Sequence, residues 1–277
     1  MKIFGLDIGG TNIKWGVREN GVFLDTGTTP SHASEGRDAL LEAIFSLLDG
    51  KEFDLLGVST AGIVDRDGNI KYANSNIPNY TGTPLRQILE QRYGKPTVVV
   101  NDIAASAYSE KGNRDDYYYI AIGTGVGGIY VKNGEIEKGS AGIAGQIGYL
   151  PTPHGGEIDL MASTRGLNRL AQMDARELFA RAANGSKEAE AILEKWCAHV
   201  AYVITLVVGL INPGAIIIGG AVSEQGEALL ERIRKQLDNM PEPYKGSFTL
   251  EVARGGNLAG VKGIIDYVKE NYKNECT

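Results

Sequence analysis

The strongest constraint on the fold of this chain is one supersecondary pattern that occurs twice. Residues 3–24 have the pattern of a strand, a glycine turn, a second strand and an Asn-Gly hairpin, and residues 117–136 repeat that order. An Asn-Gly pair between apolar runs is typical of a tight β-hairpin. Two copies of this unit in a chain of 277 residues predict two similar lobes built by duplication.

The rest of the chain alternates between helical and strand patterns. Apolar periodicity predicts helices over 37–48, 85–93, 175–183, 187–211 and from about 261 to 272, and another helix opens at Asp102. Buried strands are predicted at 55–58, 98–100 and 215–218. Such alternation predicts a protein of the mixed α/β class.

Composition and charge disfavour several classes of protein. Lys plus Arg number 28 and Asp plus Glu number 34, a formal net charge of −6, whereas proteins that bind nucleic acid backbones are normally basic. The two cysteines, Cys197 and Cys276, cannot supply a zinc centre of three or four thiolates or a disulfide framework. No export signal is visible, and the apolar stretch 200–211 is shorter than the roughly 20 residues of a membrane span. We therefore expect a soluble, cytoplasmic protein that binds neither nucleic acid nor membrane.

The glycine turns carry the first chemical signal. Adjacent glycines after Asp7 let backbone N–H groups approach an anion, and Asp7 itself could hold Mg²⁺ through water, although a plain hairpin with a solvated acid fits this motif equally well. Gly123, Gly125 and Gly128 satisfy G-x-G-x-x-G, but a strand and a hairpin follow them rather than a helix, so the dinucleotide fingerprint is rejected. The sequence contains no P-loop motif.

Asp102 is the candidate general base. It follows the strand 98–100 at the start of a helix, where reactive groups collect in α/β sheets. From position alone, a helix N-cap is the simpler interpretation of this aspartate.

Taken together in chain order, these motifs resemble those of the ROK family of sugar kinases and repressors. The matching segments are Asp7 to Thr11, Ser59 to Asp65, Asn76-Ile77-Pro78, Asn101-Asp102, Gly123 to Gly128, Gly145 to Gly148, and Asn212-Pro213 with Ile218-Gly219-Gly220. The resemblance implies the two-lobed actin-like ATPase (ribonuclease H-like) fold, with sugar and ATP bound in a cleft. It also implies a first lobe over residues 1–107, joined by the C-terminal helix 261–277, and a second lobe over 108–260.

The resemblance further implies roles for individual residues. Asp102 matches the catalytic base that deprotonates the 6-hydroxyl of a hexose. The matching sugar-binding positions are Asn76, Asn101, Asp102, Gln146, Tyr149 and Asp159. The positions that match the binding of MgATP are Asp7, Gly9, Gly10, Thr11, Asn12, Thr124, Gly125, Gly219 and Gly220. ATP and Mg²⁺ are the implied cofactors, and a homodimer is the implied assembly.

Two departures from the family pattern affect metal and substrate. The family's Glu-x-Gly-His segment is Gln146-Ile147-Gly148-Tyr149 here, and its cysteine-rich zinc segment is replaced by residues 151–163, where His154 alone cannot form a site. We therefore expect no structural zinc. Glucose, N-acetylmannosamine and β-glucosides are the candidate substrates, and a sugar-responsive transcriptional regulator and a non-catalytic sugar sensor remain alternatives. The regulator is disfavoured by the acidic charge and the first strand at residue 3, and the sensor by the retained Asp102 and phosphate turns.

Overall fold

The computed structural model describes residues 1–112, 114–152 and 155–275. Its strands are β1 (Lys2–Ile8), β2 (Asn12–Glu19), β3 (Val22–Pro30), β4 (Leu55–Thr60), β5 (Ile63–Val64), β6 (Ile70–Tyr72), β7 (Thr97–Asn101), β8 (Asp116–Ile122), β9 (Val126–Lys132), β10 (Glu135–Glu137), β11 (Ala215–Gly219) and β12 (Thr249–Val252). Its α-helices are α1 (Arg37–Leu48), α2 (Leu85–Tyr93), α3 (Asp102–Tyr108), α4 (Asp159–Ala162), α5 (Thr164–Ala171), α6 (Ala175–Ala183), α7 (Lys187–Ile211), α8 (Gly226–Leu237) and α9 (Ala259–Glu275).

The described residues form two compact units. Unit 1 comprises 1–112, 138–143 and 254–275, and unit 2 comprises 114–137, 144–152 and 155–253. The units thus differ from the division at residue 107 in three respects, since the short segment 138–143, the residues leading into α9 and residues 108–112 all belong to unit 1. The reason for the second difference is packing, because Glu110 of unit 1 accepts hydrogen bonds from the backbone at 254 and 255.

Unit 1 is built on a five-stranded sheet of order β3-β2-β1-β4-β7. The strands β1, β2 and β3 pair antiparallel, while β4 and β7 run parallel to β1. Asn20 and Gly21 both have positive φ, 50° and 87°, as a tight hairpin turn requires. Helix α9 packs on this sheet where Gly5 and Gly57 leave room for Ile264, Ile265 and Val268.

Unit 2 repeats this architecture in the sheet β10-β9-β8-β11-β12. Again three strands pair antiparallel and two more continue parallel to the first, and the hairpin residues Asn133 and Gly134 have φ of 53° and 75°. The predicted repeat is therefore confirmed at the level of sheet topology. The segment after Gly125 is the strand β9, which confirms that the glycine pattern is not a dinucleotide fingerprint.

Helix α7 forms much of the core of unit 2. Its buried face includes Leu193, Trp196 and Ile204, and Trp196 is fully buried. Among the described residues α7 is the one helix long and apolar enough, by length and composition, to cross a membrane, and half of its most apolar window is buried inside the protein. The sequence analysis considered only the apolar stretch 200–211, which is shorter than a membrane span. The helix that passes this test is the whole of α7, Lys187–Ile211. Core helices pass the same test, so this one carries little weight as a span.

Candidate active site

Two acidic side chains lie at the carboxyl-terminal edge of the sheet in unit 1. Asp7 is near the end of β1, and Asp102 directly follows β7. The register pairs Asp7 with Ser59 and Thr60 with Asn101, so the three parallel strands end side by side. This edge is where open α/β sheets bind ligands, and it is a location that the sequence predicted for Asp102.

Asp7 is a partly buried carboxylate with a hydroxyl partner. The Ser59 hydroxyl donates a hydrogen bond of 2.8 Å to Asp7 Oδ1. Burial raises the pKa of Asp7, and the Ser59 hydrogen bond and the positive charge of Lys14 oppose that rise. Ser59 was not singled out from the sequence because its contact depends on the parallel pairing of strands 52 positions apart.

Asp102 has an acidity suited to proton transfer near neutral pH. Burial, and then the negative charge of Asp7, raise the pKa of Asp102 to about 6. The backbone N–H of Ile103 donates to Asp102 Oδ1 at 2.9 Å, which opposes the rise. A second negative charge nearby and partial desolvation both disfavour the ionised form of a carboxyl group and raise its pKa. Perturbed pKa values of this kind are common among groups that exchange protons.

Asn101, rather than Asp102, is the N-cap of α3. The Asn101 side-chain oxygen accepts a hydrogen bond from the Ile103 N–H at 2.9 Å, and its Nδ2 donates to the Gly62 carbonyl at 2.8 Å. The N-cap interpretation of Asp102 is therefore wrong, because the residue before it already has the extended backbone of a cap. The contacts of Asn101 hold the β7–α3 junction against the chain that follows β4.

Asn76 lies in an exposed loop of unit 1. Its backbone N–H donates to Asn74 Oδ1 at 3.1 Å. Just after it, Tyr80 is fully buried, and its hydroxyl is 2.9 Å from Thr60 Oγ1 at the end of β4. Tyr80 thus anchors the loop that carries Asn76 to the sheet, a role that the sequence analysis missed because a buried Tyr–Thr pair has no local signature.

The first glycine turn closes on itself. Gly9 N–H donates to the Asn12 carbonyl at 2.9 Å, and Ser31 N–H donates to the Thr11 carbonyl at 2.9 Å. Residues Gly9 to Asn12 are all exposed. The turn therefore presents short side chains and accessible backbone next to Asp7, as binding of a phosphate would require.

The second glycine turn, in unit 2, is braced by α4 and α5. Thr164 Oγ1 donates to the Gly123 carbonyl at 2.7 Å, and Asp159 Oδ1 accepts from the Val126 N–H at 2.5 Å. Asp159 also pairs with Arg165. A Cβ placed on Gly125 would be 2.8 Å from Asp159 Oδ1, so the carboxylate lies directly against the turn that contains Thr124 and Gly125.

Gln146 precedes a short 3-10 helix over Ile147–Tyr149, and Tyr149 is its last residue. Gln146 is partly buried, and Tyr149 is 51% exposed. Gly128 N–H donates to the Gly145 carbonyl at 2.8 Å, which fixes this segment against β9. His154 lies outside the described residues.

Gly219 and Gly220 end β11 against β8. A Cβ on Gly219 would be 1.9 Å from the Tyr119 hydroxyl, and one on Gly220 would be 2.4 Å from the Ile122 carbonyl. Gly220 also has a φ of +78°. Tyr119 and Ile122 of β8 therefore fill the space where side chains at these two positions would lie, and the positive φ of Gly220 also favours glycine.

Acidic, histidine and cysteine side chains do not cluster into a metal centre within 1–112, 114–152 and 155–275. No group of three or more of them could hold a metal ion there. This finding leaves the expectation about structural zinc as a prediction, since His154 and Cys276 fall outside those ranges.

The repeated sheets and the acidic sheet edge define a mixed α/β protein of the actin-like ATPase fold. The ROK hexokinase from Thermus thermophilus shares it, with a TM-score of 0.81 and 29% identity over 99% of this chain and 100% of that one. The ROK family glucokinase from Streptomyces griseus, in complex with glucose and AMPPNP, has a TM-score of 0.82 and 25% identity over 98% and 100%.

Sequence comparison gives the family. The ROK family profile matches residues 3–271. The N-acetylmannosamine kinase of Salmonella typhi is 31% identical over 284 residues, which cover 95% of this chain and 97% of that protein. This chain belongs to the ROK family, and the resemblance drawn from its motifs is confirmed.

Proposed function

We propose that the protein is an ATP-dependent sugar kinase that phosphorylates the 6-hydroxyl of a hexose or hexose derivative. The observation that carries this proposal is Asp102, an aspartate at a strand end whose pKa is raised to about 6 beside a second carboxylate. Membership of a family whose similar members are named hexokinase, glucokinase and N-acetylmannosamine kinase supports the class of reaction.

In this proposal Asp102 accepts the proton of the sugar hydroxyl as that oxygen attacks the γ-phosphorus of ATP. A pKa of about 6 leaves the carboxylate ionised at neutral pH but more basic than an ordinary aspartate, which suits a general base. Asn101 keeps the base in place through its bonds to Ile103 and Gly62. Phosphoryl transfer depends mainly on such positioning and on electrostatic stabilisation of the phosphate charge.

The donor set around Asp7 fits Mg²⁺. Asp7 is a partly buried carboxylate beside the exposed turn Gly9–Asn12, and Mg²⁺ prefers one or two carboxylates together with phosphate and water oxygens. Asp7 would hold the ion. When bound, Mg²⁺ neutralises charge on the phosphates of ATP. Ser59 orients the Asp7 carboxylate through Oδ1. We further propose that Gly9–Asn12 and Thr124-Gly125 contact phosphate, and that Gly219-Gly220 contacts the adenosine.

The residues Gln146, Tyr149 and Asp159 bear on which sugar is used. Gln146 is neutral where the family motif has a glutamate, Tyr149 is half exposed, and the Asp159 carboxylate is shared with Val126 and Arg165. Fewer charged groups are then free to select the C1–C2 end of the sugar. We therefore propose relaxed recognition there, with glucose, N-acetylmannosamine and β-glucosides all accepted. A cytoplasmic homodimer is the assembly and location proposed with this activity.

A coupled ADP-release assay over a panel of sugars tests the proposal. The panel contains glucose, mannose, N-acetylmannosamine and cellobiose, each with MgATP, and ³¹P NMR identifies the phosphorylated position. Sugar-dependent ADP release with a 6-phosphate product supports the kinase. Sugar binding without ADP release would instead favour the non-catalytic sensor, and sugar-dependent retardation of DNA in a gel would favour the regulator.

A further inference from the structure

The first turns of α9 lie against Asp7 and against the backbone of α3, the helix that begins at Asp102. A Cβ placed on Gly260 would be 2.4 Å from Asp7 Cγ and 2.5 and 2.6 Å from its carboxylate oxygens. Real Cβ atoms do not approach other heavy atoms so closely. Gly260 does not have the positive φ that favours glycine elsewhere in this chain. Space for the Asp7 carboxylate is therefore the reason for a glycine in this helix, where glycine otherwise costs about 1 kcal/mol relative to alanine.

One turn later, Gly263 brings α9 into backbone contact with α3. A Cβ on Gly263 would be 1.7 Å from the Ala105 carbonyl oxygen and 3.0 Å from the Ser109 nitrogen. Helix α3 begins at Asp102. The same end of α9 thus borders both the Asp7 side chain and the helix that carries Asp102.

The chain entering α9 is fixed by a buried carboxylate. Glu110, which is 5% exposed, accepts hydrogen bonds from the Arg254 N–H at 2.8 Å and the Gly255 N–H at 2.6 Å. Lys14 donates from Nζ to Asn257 Oδ1 at 2.7 Å, which ties the same segment to β2. With both anchors in place, α9 cannot move away from Asp7 without breaking several hydrogen bonds.

We propose that Gly260 is a positioning residue of the kinase site, and that the segment 254–263, which leads into α9 and forms its first turn, holds the Asp7 carboxylate in its working orientation. The expected change in kcat rests on the proposed function, whereas the contact between Gly260 and Asp7 does not. The Gly260 backbone closes one side of Asp7, while the Ser59 hydroxyl fixes Oδ1. The carboxylate then has one allowed orientation beside Asp102.

Gly260→Ala tests the proposal. The added methyl group would meet the end of the Asp7 side chain rather than backbone, so the carboxylate can rotate away from it and leave its orientation while the fold is kept. We expect kcat to fall about a hundredfold, the cost of misplacing a reacting group by roughly 1 Å, with the KM for sugar within about twofold of the parent value. Gly57→Ala is the matched control. It would press on Ile264 and Val268 of the same helix at 2.8 Å, and neither carboxylate is among the atoms nearest to its Cβ. We therefore expect Tm to fall while kcat stays within about threefold.

A double-mutant cycle in thermal unfolding separates this inference from the proposed activity. Gly260→Ala is expected to lower Tm in the parent and to leave Tm unchanged or raised in an Asp7→Ala background, where the clash is gone. Equal Tm losses in the two backgrounds would overturn the inference, as would a kcat for Gly260→Ala equal to that of Gly57→Ala. If the effect of Gly260→Ala on Tm depends on Asp7 but the protein phosphorylates none of the sugars, the proposed kinase activity is refuted and the contact between Gly260 and Asp7 is still established.

Discussion

Asp102→Asn is expected to make the protein more stable while abolishing turnover. The pKa of Asp102 is raised from 3.8 to about 6 by burial and by the Asp7 charge. At about 1.4 kcal/mol per pKa unit, ionising this carboxylate in the folded protein costs about 3 kcal/mol. Because the side chain is partly accessible to solvent, we expect about half of that, roughly 1–2 kcal/mol, to be recovered by a neutral amide.

The sign of the effect depends on pH. Below about pH 4 Asp102 is protonated in the folded and the unfolded chain, so aspartic acid and asparagine are equivalent in charge. Between pH 4 and about 6 the unfolded chain ionises first, so the parent loses stability as pH rises. Above about pH 6 the variant exceeds the parent in free energy of unfolding by the full amount. The amide oxygen can still accept from the Ile103 N–H, so the helix start is preserved.

Thermal unfolding in EDTA, without ligands, measures this difference at about pH 4.5 and at about pH 7.5. The variant should exceed the parent in Tm by about 2–6 °C at the higher pH and by about a third of that at the lower one, where the unfolded chain has begun to ionise. In the coupled assay turnover should fall by about 10²–10⁴ with sugar binding largely intact, because the amide cannot accept a proton. Asp67→Asn, an exposed aspartate of the same unit, is the control and should change neither quantity. A Tm difference that is independent of pH would refute the electrostatic argument, and turnover within about threefold of the parent would refute the base assignment.

Three further outcomes are expected. The kcat/KM for sugar should fall below an apparent pKa near 6, since the base must be ionised, and a flat profile from pH 5 to 8 would contradict this. The purified protein should contain no stoichiometric zinc by elemental analysis and should keep its Tm in EDTA, whereas turnover should require added Mg²⁺; one zinc per chain would overturn the first expectation. In kinetics over the sugar panel, N-acetylmannosamine or cellobiose should come within a hundredfold of glucose in kcat/KM, and a larger preference for glucose would mark a strict glucokinase.

Local sequence signals were sufficient for most of the secondary structure. The predicted helices 37–48, 85–93, 175–183 and 187–211 have the same bounds in the structure, because each combines apolar periodicity with a recognisable end. The hairpins at Asn20-Gly21 and Asn133-Gly134 also form as predicted, since their positive φ values suit these residue types. The short elements β5, β6, β12, α4 and α5 were missed because packing rather than local propensity determines them. The longer helix α8 was also missed, although its residues 226–237 form a regular helix.

The partners of the site residues could not be predicted in the same way. Ser59 reaches Asp7 across parallel strands, and Glu110 binds backbone 144 and 145 positions away. No local pattern encodes such contacts, because they depend on how distant elements pack. Gly260 illustrates the limit, since its sequence neighbourhood shows only a glycine near a helix start, whereas its reason is the carboxylate of Asp7.

The packing of α9 on the sheet of unit 1 has a consequence for folding during synthesis. Helix α9 packs on the sheet of unit 1 at Gly5 and Gly57. The core beneath the strands that are synthesised early is therefore complete only after α9 has been synthesised. Unit 2 is almost continuous in sequence, over 114–137, 144–152 and 155–253, and all of its strands have been translated by then. We therefore expect the later part of the chain to be able to become native before the earlier part, and the long-range closure by α9 to come late in folding.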